Sequence, residues 1–131
     1  MADAAHYNEM NVLSMHALIG AYQPEGCEWL EELRMVLEGN AEYAVNFIRT
    51  HFKGVDVASP QGTYMIFLDC TEYCRTSGKS IDELIRCGWD VGVGWQDGRA
   101  FGGSCHIRMN LASPMSRIRE AFERMRKYVF V

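Results

Sequence analysis

Arg108 is the residue of this sequence whose type and setting best fit a chemical role. It lies in the run His106-Ile107-Arg108-Met109-Asn110, which is typical of a β-strand. Because successive side chains of a strand alternate between its two faces, Arg108 would share one face with His106 and Asn110. A guanidinium on a rigid strand can hold a carboxylate through two parallel hydrogen bonds. The same pattern also fits an arginine on the solvent face of an edge strand, and these residues alone leave both interpretations open.

A glycine-rich stretch, residues 94–103, precedes this strand. It matches neither the Walker phosphate-binding pattern nor a dinucleotide-binding fingerprint, because a predicted strand follows it where those motifs require a helix. Glycine lets the backbone approach another group closely, so the sequence predicts a mobile or close-approach loop beside a site. We expect the aromatic residues Trp29, Trp89, Trp95 and Tyr64 in the core or at an interface; Tyr64 and Trp95, which stand next to glycine-rich turns, are the two best placed to contact a ligand.

Other reactive side chains do not form a recognisable catalytic or metal-binding motif. The chain has five cysteines, Cys27, Cys70, Cys74, Cys87 and Cys105. Their odd number and wide spacing favour reduced, buried thiols over a disulfide framework. Cys70 and Cys74 are four residues apart, but no second Cys/His pair stands at zinc-ligand spacing. Gly-x-Ser-x-Gly and His-Glu-x-x-His motifs are also missing from the sequence. We therefore expect no metal and no catalytic residue in this chain.

Hydrophobic periodicity predicts the elements that position these residues. A short helix is predicted over residues 11–22 and is expected to end at Gln23-Pro24-Glu25-Gly26. A long amphipathic helix is predicted over residues 28–52, with apolar side chains at spacings of three and four. A helix of that length suggests a connector between two bodies, although a long core helix fits the same periodicity.

Shorter elements follow the long helix. We predict strands at residues 55–58, 64–69, 91–93 and 106–111. A capping box at residues 80–83 predicts a helix to Arg86, which Gly88 would end. Ser113 as the cap and Pro114 as the first helical residue would start the last helix. This order predicts an α+β fold, a two-layer α/β sandwich in which a small, mostly antiparallel sheet packs on helices after the long helix.

Length and composition limit the kinds of protein that fit. The 131 residues contain 48% hydrophobic and 23% charged residues, without repeats or linker-like tracts, so we expect one domain over residues 1–131. The net charge of −4 argues against nucleic acid or an anionic membrane as a partner. No apolar run reaches the ~18 residues of a membrane span, and the first residues do not resemble a signal peptide. The expected location is the cytoplasm.

Three motifs, in order, resemble a known enzyme family. They are Pro60-Gln61-Gly62-Thr63-Tyr64-Met65-Ile66-Phe67-Leu68-Asp69, then Asp97-Gly98-Arg99-Ala100-Phe101-Gly102, then Ile107-Arg108-Met109-Asn110-Leu111-Ala112-Ser113-Pro114, preceded by Ala21-Tyr22 and Gly26…Trp29-Leu30. This pattern resembles the small C-terminal domain of class I/II, fold-type-I pyridoxal-phosphate-dependent aminotransferases, especially the branch of C–S lyases similar to cystathionine β-lyase. The likeness covers residues 11–128.

The resemblance implies a division of labour between two domains. In such enzymes the large domain carries the cofactor lysine, and the small domain supplies the arginine that binds the substrate α-carboxylate. Arg108 matches that arginine, and Asn110 and Tyr64 are the further substrate-binding residues that we expect. The segment from Phe101 to Arg108 is slightly shorter than the family pattern, so the loop before the arginine is altered.

None of the chain's three lysines lies on a segment that resembles the family's cofactor-lysine loop; they are Lys53, Lys79 and Lys127. The resemblance therefore implies a small domain whose lysine-bearing large domain is absent, with pyridoxal phosphate in the intact enzyme and none bound to this chain. We expect the isolated chain to be inactive and to form a homo-oligomer. Alternatives are a non-enzymatic module that binds an amino acid or a partner protein, and a fragment without an independent role.

Overall fold

The computed structural model describes residues 11–131, which form helices and a small sheet in two compact units that divide between Val36 and Leu37. The elements in chain order are α1 (Val12–Ala21), α2 (Pro24–His51), β1 (Asp56–Val57), β2 (Met65–Asp69), α3 (Thr71–Ser77), α4 (Ile81–Asp90), β3 (Gln96–Asp97), a 3₁₀ turn (Gly98–Phe101), β4 (His106–Asn110) and α5 (Met115–Tyr128). Among these residues, no helix is both long and apolar enough to cross a bilayer.

The first unit, as far as residues 11–36 show it, consists of α1 and the beginning of α2. The Asn11 side chain accepts a hydrogen bond of 2.8 Å from the Ser14 N–H and so caps α1. Gly26, in the first turn of α2, lies close to the end of α1. A Cβ added at Gly26 would lie 2.4 Å from the Ala21 carbonyl oxygen. Only glycine fits so tight a turn. None of residues 11–36 is buried.

The start of α2 differs from the prediction. We expected residues 23–26 to separate two helices, but α2 begins at Pro24 and runs for 28 residues. Proline suits the first turn of a helix, because its missing N–H would have no intrahelical acceptor there and its fixed φ is already helical. The Pro-Glu-Gly run therefore opens the long helix, and the break before it is a single short turn.

The second unit is built around an antiparallel sheet with the strand order β1-β2-β4-β3. One face of its two longest strands is buried and joins the hydrophobic core, through Ile66, Leu68, Ile107 and Met109. Aromatic rings from α2, α5 and the chain end meet in that core, with Phe52 and Phe130 ring centroids 4.3 Å apart. This α+β architecture confirms the fold class predicted from the sequence.

Asn40 connects α2 to the segment that follows β4. It is 1% exposed, and its Nδ2 donates hydrogen bonds of 2.9 Å to the carbonyl oxygens of Leu111 and Ser113. A buried amide with two such bonds fixes the backbone it contacts. The buried residues of α2 therefore include one polar side chain, and it holds the segment that directly follows the strand of Arg108.

Four local predictions are wrong. No helix was predicted where α3 lies, and α4 continues past Gly88 to Asp90. Residue 88 is a glycine within this helix because an added Cβ would lie 2.2 Å from the Trp95 ring. The third strand is at Gln96–Asp97 instead of residues 91–93, and Pro114, not Ser113, caps α5. The capping box of Ser80 and Glu83 is confirmed.

Candidate functional site

Arg108 lies on the sheet face that is turned away from the core. Burial alternates along β4, and His106, Arg108 and Asn110 fall on the less buried face, as the strand period requires. Register places Arg108 opposite Phe67 of β2 and opposite Gln96 of β3. The arginine is thus central in the sheet, with a neighbouring strand on each side.

Two side chains hold the Arg108 guanidinium. Its Nη1 donates a hydrogen bond of 3.1 Å to the Gln96 Oε1, and its Cζ lies 4.3 Å from the centroid of the Phe101 ring. Among residues 11–131, no carboxylate lies within salt-bridge distance of Arg108, so both holding groups are neutral. The half-buried guanidinium therefore retains N–H groups along its edge, and these can bind an anion through two parallel hydrogen bonds.

His106 lies beside Arg108 on the same face of β4. Its ring stacks on Phe67 with centroids 4.7 Å apart, and its Nε2 lies 3.9 Å from the Asp69 Oδ2. The Nδ1 atom is buried and has no hydrogen-bond partner in the described part of the chain. Hydrogen bonds from the Thr71 side chain and N–H lower the pKa of Asp69, which keeps this carboxylate ionised at the start of α3.

The glycine-rich loop approaches His106 closely. Added Cβ atoms would lie 2.5 Å from the His106 carbonyl oxygen at Gly98 and 2.5 Å from its ring at Gly103. Gly102 has a φ of +87°, a conformation that side chains other than glycine's seldom adopt. The close approach predicted from the sequence is present, and the group approached is the protein's own histidine.

The other predicted site residues contribute less directly. The Asn110 Oδ1 accepts a hydrogen bond of 2.7 Å from the Ala112 N–H, so its amide oxygen shapes the turn after β4. Tyr64 is 47% exposed and precedes β2, and its carbonyl accepts a hydrogen bond of 2.7 Å from the Leu111 N–H. Asn110 is two positions along β4 from Arg108, and Tyr64 comes directly before Met65, the β2 residue paired with Asn110.

Trp95 lies in the core, which is the first of the places expected for it, and not at a surface where it could contact a ligand. Trp95 is 5% exposed, and its indole N–H donates a hydrogen bond of 3.0 Å to the Ile85 carbonyl. Its ring packs on the Gly88 backbone, which is why a glycine stands inside α4. A flanking glycine thus marked a packing contact within the core and not a binding surface.

All five cysteines are free thiols, but the burial predicted for them holds only in part: Cys70 is buried, Cys74, Cys87 and Cys105 are half-buried, and Cys27 is exposed. Burial raises the pKa of Cys70 strongly, and burial together with the neighbouring Cys105 raises the pKa of Cys74 to about 12. Thiols with such raised pKa values stay protonated near neutral pH and are weak nucleophiles. The cysteines near the site are therefore packing residues.

The lysines do not provide a site for a cofactor. The Lys79 Nζ lies 3.4 Å from both the Tyr73 hydroxyl and the Val129 carbonyl, where it ties α3 to the end of the chain. Lys53 and Lys127 are exposed, and Lys127 stacks on its neighbour Tyr128. None of the three shares the sheet face of Arg108. The chain's own residues therefore do not fit a lysine-bound cofactor.

A groove of about 240 Å³ lies at the C-terminal end of β4, lined by residues 92–94, Met109, Asn110, Leu111, Ser113 and α5 residues between Arg117 and Arg124. Arg108 is not among the residues that line this groove.

Sequence reasoning missed Gln96 and Phe101, the two residues that hold Arg108. The register of β3 against β4 brings Gln96 to Arg108 across twelve residues of chain, and a strand of two residues gives too short a pattern to predict. Phe101 carried a signal, because it lies in the Asp97–Gly102 motif. The position of Phe101 beside Arg108 depends on the 3₁₀ turn, which was not predicted because the surrounding stretch is rich in glycine.

Comparison with known proteins gives relatives but no matching family model. Over 111 residues the chain is 32% identical to a Mycobacterium leprae protein assigned as a cystathionine beta-lyase, covering 76% of this chain and 28% of that protein. A crystal structure of a pyridoxal-phosphate-bound protein of Clostridium difficile 630, assigned as an aminotransferase, has a TM-score of 0.78 at 31% identity and covers 95% of this chain and 32% of that one. A pyridoxal-phosphate-bound C–S lyase of Staphylococcus hominis has a TM-score of 0.77 at 24% identity, over 88% of this chain and 30% of that one, which shows a shared fold.

These relatives define a class, the pyridoxal-phosphate-dependent aminotransferases and C–S lyases. The chain is a homologue of these enzymes, which confirms the resemblance drawn from its motifs. Its helices and small antiparallel sheet agree with the C-terminal domain of an aminotransferase. The chain spans no more than about a third of the length of the curated relatives it matches.

Proposed function

We propose that this chain acts as the small C-terminal domain of a pyridoxal-phosphate-dependent aminotransferase or C–S β-lyase, and that Arg108 binds the α-carboxylate of an amino-acid substrate. The observation that carries the proposal is the setting of Arg108. Its guanidinium is half-buried on a central strand, is held by two neutral side chains, and has no carboxylate partner among the described residues. Such a cation can donate hydrogen bonds to the carboxylate of a bound molecule.

Carboxylate binding would act on the reaction through orientation. A hydrogen bond to a charged group contributes about 1.5–3 kcal/mol, and a two-pronged contact also fixes the direction of the bound molecule. In the intact enzyme, pyridoxal phosphate supplies the electron sink, while the protein determines which substrate bond is aligned with it. Arg108 would set that alignment from the carboxylate end.

The lysine that holds the cofactor would come from a large domain outside this chain. Lys79 supports this division, because its Nζ is already engaged by Tyr73 and Val129. The single domain over residues 1–131, the cytoplasmic location and the homo-oligomeric state remain predictions. Transamination and β-elimination both fit this division of labour.

Catalytic inactivity of the isolated chain is the first test. The purified chain is mixed with pyridoxal phosphate and amino acids, and visible absorbance, α-keto acid and thiol release are followed. We expect no lysine-bound cofactor band and no turnover. Turnover by this chain alone would contradict the proposal, and its loss in a Lys79→Arg variant that keeps the charge would assign it to the chain's own lysine.

A second candidate, a non-enzymatic binding module, is favoured by the exposed apolar residues of the first unit. Leu13, Tyr22, Trp29 and Met35 are each more than 60% exposed. Apolar groups that cluster on a surface tend to associate with a partner. Calorimetry with amino acids separates the two functions, because self-association is expected of both: a partner-binding module shows no affinity for amino acids, whereas the proposed function requires it.

A further inference from the structure

We infer that Phe101 is a positioning residue for Arg108, and that its ring sets the plane of the guanidinium so that the remaining donors point outward toward a carboxylate. This inference rests on the proposed function of Arg108. Neither the sequence motifs nor the relatives' names assign Phe101 to the site. Its basis is the contact of 4.3 Å between the Arg108 Cζ and the Phe101 ring.

The stack and the Gln96 bond restrict Arg108 in different directions. The Arg108 Cζ lies over the Phe101 ring, and the Gln96 Oε1 accepts a hydrogen bond from the Nη1 edge of the guanidinium. A long arginine side chain has several rotatable bonds, and ordering it on binding costs free energy. An arginine that is already ordered gives up less of this freedom when a carboxylate binds.

The turn that carries Phe101 is itself held firmly in place. The Asp97 side chain accepts a hydrogen bond of 2.9 Å from the Arg99 N–H and caps the 3₁₀ turn. The Arg99 Nη2 then bonds to Asp97 at 2.6 Å and to Asp82 of α4 at 2.5 Å. Because Gly98 also presses on the His106 backbone, the turn is fixed on two sides. The position of the Phe101 ring follows from these contacts.

Phe101 is 49% exposed although it is a large apolar residue. An aromatic ring that is so exposed adds little to the core, so a purely structural role does not account for its fixed position. A cation–π contact at an exposed site is worth about 0.5–1 kcal/mol, which corresponds to roughly a threefold change in affinity. Removal of the ring should therefore be tolerated by the fold and detected in binding.

The test compares Phe101→Leu, Phe101→Tyr and the unchanged chain by NMR of the arginine side-chain N–H groups. Stacking on a ring shifts nearby protons to lower frequency, so the Arg108 N–H signal reports the stack directly. Sodium acetate is then added, with sodium chloride at equal ionic strength as the control. Tyr128→Leu serves as a matched variant, because Lys127 stacks on Tyr128 away from Arg108.

We expect Phe101→Leu to lose the ring shift and to raise the acetate concentration for half-saturation at Arg108 about threefold. Phe101→Tyr should retain both properties, and Tyr128→Leu should change neither. Loss of the ring shift with unchanged acetate binding would overturn the inference alone. No acetate response at Arg108 in the unchanged chain would overturn carboxylate binding, and the inference with it.

Discussion

Arg108 is held by one ring and one amide, and neither of them neutralises its charge. Arg99, nine residues earlier in the sequence, offers a contrast, since its guanidinium donates hydrogen bonds to both Asp82 and Asp97. These hydrogen bonds to carboxylates raise the pKa of Arg99 and satisfy its donors. One arginine therefore fastens a turn, while the other remains available for a ligand. Residue type alone could not separate these two roles.

The shared face of His106, Arg108 and Asn110 was predictable because strand alternation is a local property. The groups that surround Arg108 were not predictable. Gln96 reaches it through sheet register, and Phe101 reaches it through a turn fixed by Arg99. Such contacts depend on tertiary structure, which a single sequence does not reveal by periodicity.

Cysteine reactivity gives a prediction at the residue scale. Cys27 is exposed, whereas burial raises the pKa of Cys70 and of Cys74 and keeps both thiols protonated. With iodoacetamide at pH 8, we expect alkylation of Cys27 well before that of Cys70 and Cys74, as followed by peptide mass spectrometry. Equal rates in the folded chain would contradict the burial of the two thiols. Urea-unfolded chain, in which all five should react alike, is the control.

At the scale of elements, three glycines have three different structural roles, which the amino-acid composition does not distinguish. Gly26, in the first turn of α2, allows close approach to Ala21 of α1, Gly88 makes room for Trp95 inside α4, and Gly98 lets the 3₁₀ turn lie against His106. Close approach was predicted for the glycines of residues 94–103, whereas Gly88 was predicted to end a helix. That prediction ended α4 too early and placed the third strand before Trp95.

Two glycine variants give a matched prediction for helices. Gly88→Ala would place a Cβ 2.2 Å from the Trp95 ring, whereas Gly39→Ala on α2 meets open space. We expect Gly88→Ala to lower the free energy of unfolding by about 1–3 kcal/mol because the ring must move. Gly39→Ala should raise it by about 0.5–1 kcal/mol through helix propensity.

Urea unfolding followed by circular dichroism measures both effects. Equal and small changes in the two variants would mean that Trp95 does not pack on Gly88.

The long helix was predictable over most of its length because its periodic face is strong. Its first turn was not, because the Pro-Glu-Gly run is typical both of a break and of a helix start.

At the scale of the whole molecule, the two units differ in how they are stabilised. Large apolar side chains are exposed throughout residues 12–36, namely Val12, Leu13, Met15, Leu18, Ile19, Tyr22, Trp29, Leu30, Met35 and Val36. The second unit instead buries a continuous core. A helix without buried contacts gains little stability from packing. The exposed residues favour a further body that covers them in an intact enzyme.

Hydrogen exchange tests this difference along the chain. We expect the amides of residues 12–36 to exchange faster than those of residues 40–51, although α2 includes both parts of the sequence. The measurement is made at low protein concentration, because self-association would protect the first unit. Uniform protection along α2 in a dilute monomer would show that residues 12–36 do not need a covering body.

The central claim is that Arg108 binds a carboxylate, and arginine side-chain NMR on the full chain tests it most directly. Acetate is titrated against chloride at equal ionic strength, and Arg117, whose side chain is 78% exposed, serves as an internal reference. We predict a saturable shift at Arg108 that exceeds the response of Arg117 and disappears in Arg108→Lys. A response at Arg108 no larger than that at Arg117 would contradict the claim.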